Sequence, residues 1–486
     1  MTKNILKVFF IVFLIGLIGC TSRYQMDLAE QRRLNLTDDM ASLNSQKPVE
    51  LPDPLRLDDA VRIGLDNNLE IRISRIMAEL ADDKALSEKL KILPQLSFSG
   101  DISRRSDDDL KEYENLDTGE KSLGRSISEE RTRKMVNLSL SWNVLDFGLS
   151  FIRARQAAMD KEIKRMERLR QAQNLAMDIA ASYRKAVMAE LELNYIEKIE
   201  SDVHIYKEKA KEMVSQNRLD PISAKTIEKK MADVAITAAS LQADISNARI
   251  ELCRLMGLNP MTEFRLANES SEAYLKKIPE SEEIKPEYLE ITALNNRPEF
   301  FAADIQMRVQ KDEARAALVS MFPGIRFDIS NHYDDNKYLV NNYWSSVGLG
   351  VVENLLALPS RYVNWKSEEK NESLVKSQRL LLTAGVIVQV HLALHDFIEK
   401  EKRFRLYNDS YIISEDLLTM SRERYELGSL SDTVMTQQIM ENMITRLERN
   451  RSLIDLINAY NVLLVTIGFD YSQWENVKID MDNPAE

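Results

Sequence analysis

The sequence predicts an α+β membrane protein assembled as a tandem repeat, and three observations lead there. Two long stretches are almost free of helix breakers, pairs of alternating strands follow a proline, and the two halves of the chain match at fixed spacing. The protomer is expected to contribute four strands to a β-barrel shared between chains, with long helical hairpins beside them.

The first element is a leader. Lys3 and Lys7 precede the apolar run Val8 to Ile18, and L-I-G-C at Leu17 to Cys20 is followed by Thr21 and Ser22. A positive segment before a short apolar one reads as a secretory signal, too short for a transmembrane helix. The tetrapeptide resembles the bacterial lipobox, which implies cleavage before Cys20 and acylation of its thiol. Ser22, rather than Asp, after the cysteine is what such lipoproteins show when sent to the outer membrane. Residues 1–19 are thus expected to be a lipoprotein signal peptide and 20–54 a lipid-anchored linker. With Cys20 lipidated, Cys253 is the only other cysteine; it lacks an internal partner and reads as a buried, inert apolar residue.

Residues 55–257 form the first repeat. A charged helical pattern ends in K-I-L-P-Q-L-S-F-S-G, Lys91 to Gly100. Pro94 has no amide donor and disfavours a helical Leu93, so it stops the helix and makes a helix-to-strand seam. Leu96, Phe98, Gly100 and Ile102 then alternate with polar residues, as do Val136, Leu138, Leu140, Trp142 and Val144. Strands are expected near 95–103 and 136–145, of the length a tilted membrane-spanning strand needs. Between them, Arg104 to Lys134 is charged and poor in large apolar side chains, so it belongs in water.

A rod follows. From Leu149 to Asp220 there is neither Gly nor Pro, and Leu175, Ile179, Tyr183, Val187, Leu191 and Tyr195 recur every four residues on one drifting helix face. About 65 helical residues span roughly 100 Å. S-Q-N-R-L-D-P-I-S then reads as a turn, with Asn217 as a left-handed cap and Asp220 with Pro221 opening the return helix. That helix ends at Gly257, and residues 258–288 link the repeats.

The second repeat, 289–468, has the same plan. L-D-N-N-L-E (Leu65 to Glu70) aligns with L-N-N-R-P-E (Leu294 to Glu299), Pro94 with Pro323 and Phe98 with Phe327, all 229 residues apart. Asn143 aligns with Asn354, Asn217 with Gly428 and Gly257 with Gly468, all 211 apart, so the first copy carries 18 extra residues between its strands. Strands are expected near 324–331 and 345–353. A second rod, Arg361 to Leu427, is interrupted only by Gly385 and turns at Y-E-L-G-S-L-S-D, with Gly428 as cap and Ser429 or Ser431 opening the return. Residues 469–486 form a tail.

Four strands are too few to close a barrel, and open edges cannot face lipid. Membrane insertion therefore requires several chains, and three supply twelve strands. Interface anchoring by Phe147, Tyr343 and Trp344 fits the same reading. A net charge of −12 opposes a nucleic-acid partner. No G-x-x-x-x-G-K-[ST], H-E-x-x-H or G-x-S-x-G occurs, so no catalytic residue and no cofactor is assigned. His391 and His395 stand one helical turn apart, yet a third ligand is not visible, and no metal site is assigned.

The lipobox, the duplicated helix–strand–strand–hairpin unit, L-P-Q-L-S-F-S-G, S-L-S-W-N-V-L-D-F-G and R-Y-E-L-G-S-L-S together resemble the TolC-type outer membrane efflux family over about Leu55 to Asp470. The resemblance implies a homotrimer with a twelve-stranded outer-membrane barrel, continued by a long periplasmic α-helical barrel, with 258–288 and the tail in a mixed equatorial region. It implies a passive duct for efflux or type I secretion, docked to a periplasmic adaptor and to a proton-driven or ABC inner-membrane transporter. Adaptor contact and gating then fall to the tips: Asn217, Arg218, Leu219, Asp220 and Ser223 in one, Tyr425, Leu427, Gly428, Ser429, Leu430, Ser431 and Asp432 in the other. Here the chain departs from well-studied members, because Ser223 and Val434 stand where Asp is frequent and Leu430 where Arg is common. Arg218, Asp220, Arg422, Arg424 and Asp432 are the charges available for a different closing network. The competing reading is a lipid-anchored periplasmic coiled-coil scaffold without a pore; it leaves the paired strands, repeated at the same place, unexplained.

Overall fold

The computed structural model describes residues 28–44, 49–108, 110–111, 117–120, 126–215, 220–267 and 271–474. The leader, Cys20, the first tip at Asn217, Arg218 and Leu219, and the tail beyond Trp474 lie outside the described residues. The chain divides into two units, 1–52 and 53–486. Within the first, α1 (Leu28–Asn44) is a single helix.

The second unit follows the duplicated plan. Helices α2 (Leu57–Asn67) and α3 (Leu69–Leu90) lead to β1 (Gln95–Arg104). A short hairpin, β2 (Leu110–Lys111) and β3 (Ser126–Ile127), precedes β4 (Thr132–Asn143). Then come α4 (Val144–Ser215), α5 (Pro221–Met256) and the short α6 (Ser271–Leu275). The second copy consists of α7 (Pro286–Asn296), α8 (Pro298–Val319), β5 (Gly324–Asp334), β6 (Tyr343–Val352), α9 (Leu358–Glu426) and α10 (Asp432–Thr466). With 72 residues, α4 is about 110 Å long.

The first seam lies where proline dictates: α3 ends at Leu90 and β1 begins at Gln95, and 229 residues on β5 begins at Gly324. The return seams use asparagine. The Leu145 amide donates to Asn143 Oδ1 at 3.0 Å, and the Leu356 amide to Asn354 Oδ1 at 3.2 Å. That capping is why the second strand stops at Asn143 and Val144 is helical rather than the last strand residue. At the other end β4 reaches back to Thr132, because Arg133 donates to the buried Asp334 carboxylate at 2.8 Å and so holds the start of the strand against β5. β5 and β6 are likewise longer at their far ends than the alternation alone suggests.

All four long strands pair antiparallel in the order β1-β4-β5-β6. The helical core is a stripe along α4, where Leu175, Ile179, Tyr183 and Val187 are buried. A four-residue step advances 400°, so the stripe drifts by about 40° per step. Beyond Val187 the buried positions become Ala189, Glu192 and Ile196, while Leu191 and Tyr195 are only half-buried. On the second copy, Phe397 meets Tyr460 with ring centroids 5.6 Å apart.

Between the repeats, Leu55 and Leu266 form a parallel bridge, and the Tyr183 hydroxyl donates to Leu55 O at 2.9 Å and Ala267 O at 3.1 Å. The glycines that end the return helices are bound to this region. Gly257 has φ +69° and Gly468 φ +94°, and a Cβ would lie 2.5 Å from Asn67 O in the first case and 2.8 Å from Asn296 C in the second. Both close against the break between the two short helices of their own repeat, a duplicated contact that only glycine permits.

Candidate channel surfaces

Register sorts the sheet into two chemically opposite faces. Leu96 pairs with Leu140, Leu140 with Ile329 and Ile329 with Val347; Phe98 pairs with Leu138, and Trp142 with Phe327 and then Leu349. Facing neighbours share a side of a sheet, so these residues form one apolar face. Ser97, Ser139, Asp328 and His332 belong to the other. On that side the Ser97 and Ser139 hydroxyls lie 2.8 Å apart, and His332 bonds Asn137 and Ser346 while stacking on Trp344.

The apolar face is uncovered in the single chain: Phe98 is 73% exposed and Leu349 75%. Removing a side chain of this kind from water is worth about 1.5–3 kcal/mol, so a face made mostly of them calls for an apolar solvent or partner. The outer edges of β1 and β6 are unpaired within the sheet. They run in opposite directions, so β6 of one copy can pair antiparallel with β1 of the next.

At the helical end, the tips are built from caps. Asp220 accepts from the Ser223 amide at 3.3 Å with Pro221 in the first helical position. In the second tip Gly428 has φ +70°, the Ser429 amide and hydroxyl both reach Arg424 O at 2.9 Å, and Ser431 caps α10 through the Val434 amide. Of the two candidate serines, Ser431 opens the return helix and Ser429 closes α9. Tyr425 and Leu430 pack on a buried cluster of Ile196, Leu418, Met435, Ile439, Met440 and Met443. An aliphatic residue at position 430 thus contributes packing where charge was the alternative. Leu427 is 82% exposed at the extremity, and Ile222 points out of the first tip at 76%. Asp220, Arg422 and Arg424 are all exposed at the tips.

Two polar networks brace the helices. Near the tips, Asn442 donates to Glu415 at 2.9 Å, Arg446 lies 3.6 Å over the Tyr195 ring, and Asn450 donates to the buried Glu192 at 2.6 Å. Burial pushes the Tyr195 and Tyr411 phenols above their ordinary range. At the level of the short helices, Arg170 reaches Glu299 at 2.9 Å and Val465 O at 2.8 Å, while Arg297 holds Glu299 at 2.9 Å and Gln389 at 2.8 Å. Burial raises the Glu299 carboxyl, but the Arg297 hydrogen bond and the Arg170 charge outweigh it, leaving a net downward shift.

His391 bonds Glu290 at 2.6 Å, and His395 is exposed; no metal-binding group of three ligands is present among the described residues. Around them lies a surface that sequence reasoning missed. Leu380, Leu381, Val388 and Leu392 of α9 are all more than half exposed, and the helix is long and apolar enough to cross a membrane by that test alone. The signal in the sequence is the run L-L-L-T-A-G-V-I-V-Q-V, eleven residues without a charge.

No family model and no curated sequence matches this chain. Solved structures do. OprN, an outer-membrane channel, is 13% identical with a TM-score of 0.66 over 89% of this chain and 96% of its own. CusC, whose structures describe transmembrane channel formation, is 13% identical with a TM-score of 0.69, covering 87% and 95%. The open state of the MtrE outer membrane channel of Neisseria gonorrhoeae is 16% identical with a TM-score of 0.67, covering 85% and 89%. The chain therefore has the fold of the TolC-type outer membrane efflux channels.

Proposed function

We propose that the chain is the protomer of a passive outer membrane duct that exports substrates for a tripartite efflux or type I secretion system. One observation carries the reading: a four-stranded antiparallel sheet with one predominantly apolar, exposed face, one more polar face and two open edges of opposite direction. Three copies joined edge to edge make a twelve-stranded closed barrel, apolar outside and polar within, which is the arrangement a bilayer tolerates. The exposed apolar stripes of α9 and of α3, where Leu69, Ile73 and Leu80 are uncovered, then become the contacts between neighbouring helical hairpins.

In this reading acylated Cys20 anchors the N-terminus in outer membrane lipid. The capped tips around Asp220 and Gly428, with Ile222 and Leu427 projecting, meet a periplasmic adaptor and through it an inner-membrane transporter, proton-driven or ABC. The protein performs no chemistry. Support comes from the fold shared with outer membrane channels. A pore-free scaffold has no use for the two-faced sheet. The test is conductance across a planar bilayer after adding purified full-length protein: discrete current steps are expected, and a silent bilayer over a range of voltages would refute the duct.

A further inference from the structure

The apolar face of the sheet is not uniform along its length. Outward from the helices, its rows run through Trp142, Phe327 and Leu349 and then through Leu140, Ile329 and Val347. Two rows further on, Val136, Tyr333 and Tyr343 stand side by side, with both phenol rings exposed. From Ile325 to Tyr333 the strand advances about 27 Å. A tilt near 40° turns this into a height of about 20 Å, close to the apolar band of an outer-membrane barrel. Tyrosine at such a boundary keeps its ring in hydrocarbon and its hydroxyl among the headgroups.

Cations come next. Lys134 stands opposite Ile102 and Arg104 opposite Thr132, one and two rows beyond the tyrosines on the same face. Diagonal neighbours of this kind lie about 7–8 Å apart, within reach of long side chains. Arg104 is exposed, and the Lys134 side chain is 60% exposed. The acid beside them, Asp335, lies 3.6 Å from Lys134 Nζ and also accepts from the Lys134 main-chain amide at 2.7 Å. It therefore keeps a donor when the ammonium turns outward. At the opposite end the face consists of Trp142, Ile325 and Val351, all uncharged. Positive charge on this face is thus confined to the rim farthest from the helices.

We propose that this rim binds a phosphorylated glycolipid of the outer leaflet, its acyl chains lying on the apolar face and its phosphate held between Arg104 and Lys134. The guanidinium offers a fixed fork of donors and the ammonium three more, and both make charge-assisted bonds to phosphate oxygens. The Tyr333 and Tyr343 hydroxyls add neutral donors nearby. The site rests on the duct reading, in which the rim farthest from the helices faces the exterior.

The experiment titrates diphosphorylated lipid A into the purified full-length protein in detergent and counts adducts by native mass spectrometry, with enzymatically dephosphorylated lipid A as control. One adduct per chain is expected, with affinity at least tenfold weaker for the dephosphorylated lipid and for the double variant Arg104→Gln with Lys134→Gln. Arg326→Gln, which removes a cation from the polar face at the other end of the sheet, should bind like the parent, and circular dichroism should be the same for all three proteins. Equal affinity for the two lipids, or a double variant that binds like the parent, would overturn the proposal. So would loss of the adduct to inorganic phosphate at the lipid's own concentration, which would make this a site for the free anion. The same preparation is added to a planar bilayer: current steps without lipid adducts refute the site and spare the duct, whereas phosphate-dependent adducts with a silent bilayer support the site and refute the duct.

Discussion

At the scale of single residues, the duplicated glycines are the most exposed part of the account. Gly257 and Gly468 combine a left-handed backbone with a neighbouring main chain where a Cβ would stand, whereas Gly428 has the same backbone hand in open space. Replacing either of the first two by alanine is expected to destabilise the helical unit by at least about 2 kcal/mol, against about 1 kcal/mol for Gly428→Ala. Chemical denaturation of the three variants, followed by circular dichroism, checks the order. Glu299 gives a pH prediction. Its folded-state pKa is below the ordinary 4.5, so its contribution is present above that value and is lost as acid carries the pH down through the folded pKa. Glu299→Gln should therefore lower stability near neutral pH and flatten the decline between about pH 5 and 3. Equal pH slopes for both proteins would rule out the ion-pair account. The residues acting through the local backbone, namely Pro94, Pro323, Asp220, Gly428 and Ser431, were legible in the sequence because capping and proline rules span only a few positions. The Arg170–Glu299 and Asn450–Glu192 pairs were not, since each joins segments far apart in the chain.

At the scale of elements, the handover from helix to strand and back explains why the duplicated unit survives an 18-residue insertion. The insertion falls beyond the far ends of β1 and β4, where it leaves the four-strand register undisturbed. Alternation predicted which strands exist. It did not predict where they stop, because the stops depend on the Asn143 cap and on Arg133 meeting Asp334 across strands. The face assignment makes a sharp prediction. Leu349→Arg, on the apolar face, should block membrane assembly at a cost of about 2–4 kcal/mol, while Ser139→Arg, on the polar face, should assemble. The yield of heat-modifiable protein in outer membranes measures both, and equal tolerance of the two substitutions would contradict a lipid-facing sheet.

At the scale of the whole molecule, a single chain leaves three things unfinished: an uncovered apolar sheet face, two unpaired strand edges and exposed apolar stripes on α3 and α9. Assembly resolves all three together, which is a stronger argument than any one of them. The tandem repeat was readable from spacing alone, whereas the expectation of several copies rests on four strands being too few to close a barrel. The exposed apolar stripe on α9 is not legible residue by residue, because a face left uncovered within its own chain has the same composition as the face that packs on α10. The central claim is that β1 of each copy pairs with β6 of the next until the ring closes at three. Disulfide trapping in outer membranes tests it most directly, using Ser99→Cys with Trp344→Cys, Ser346→Cys or Gly348→Cys in turn, all on the polar face, in a Cys253→Ser background. The account predicts a non-reducing ladder of one, two and three chains that stops there, strongest for one of these pairs and absent for Val347→Cys on the opposite face. A ladder that continues past three chains, or no cross-link at any pairing, would contradict it.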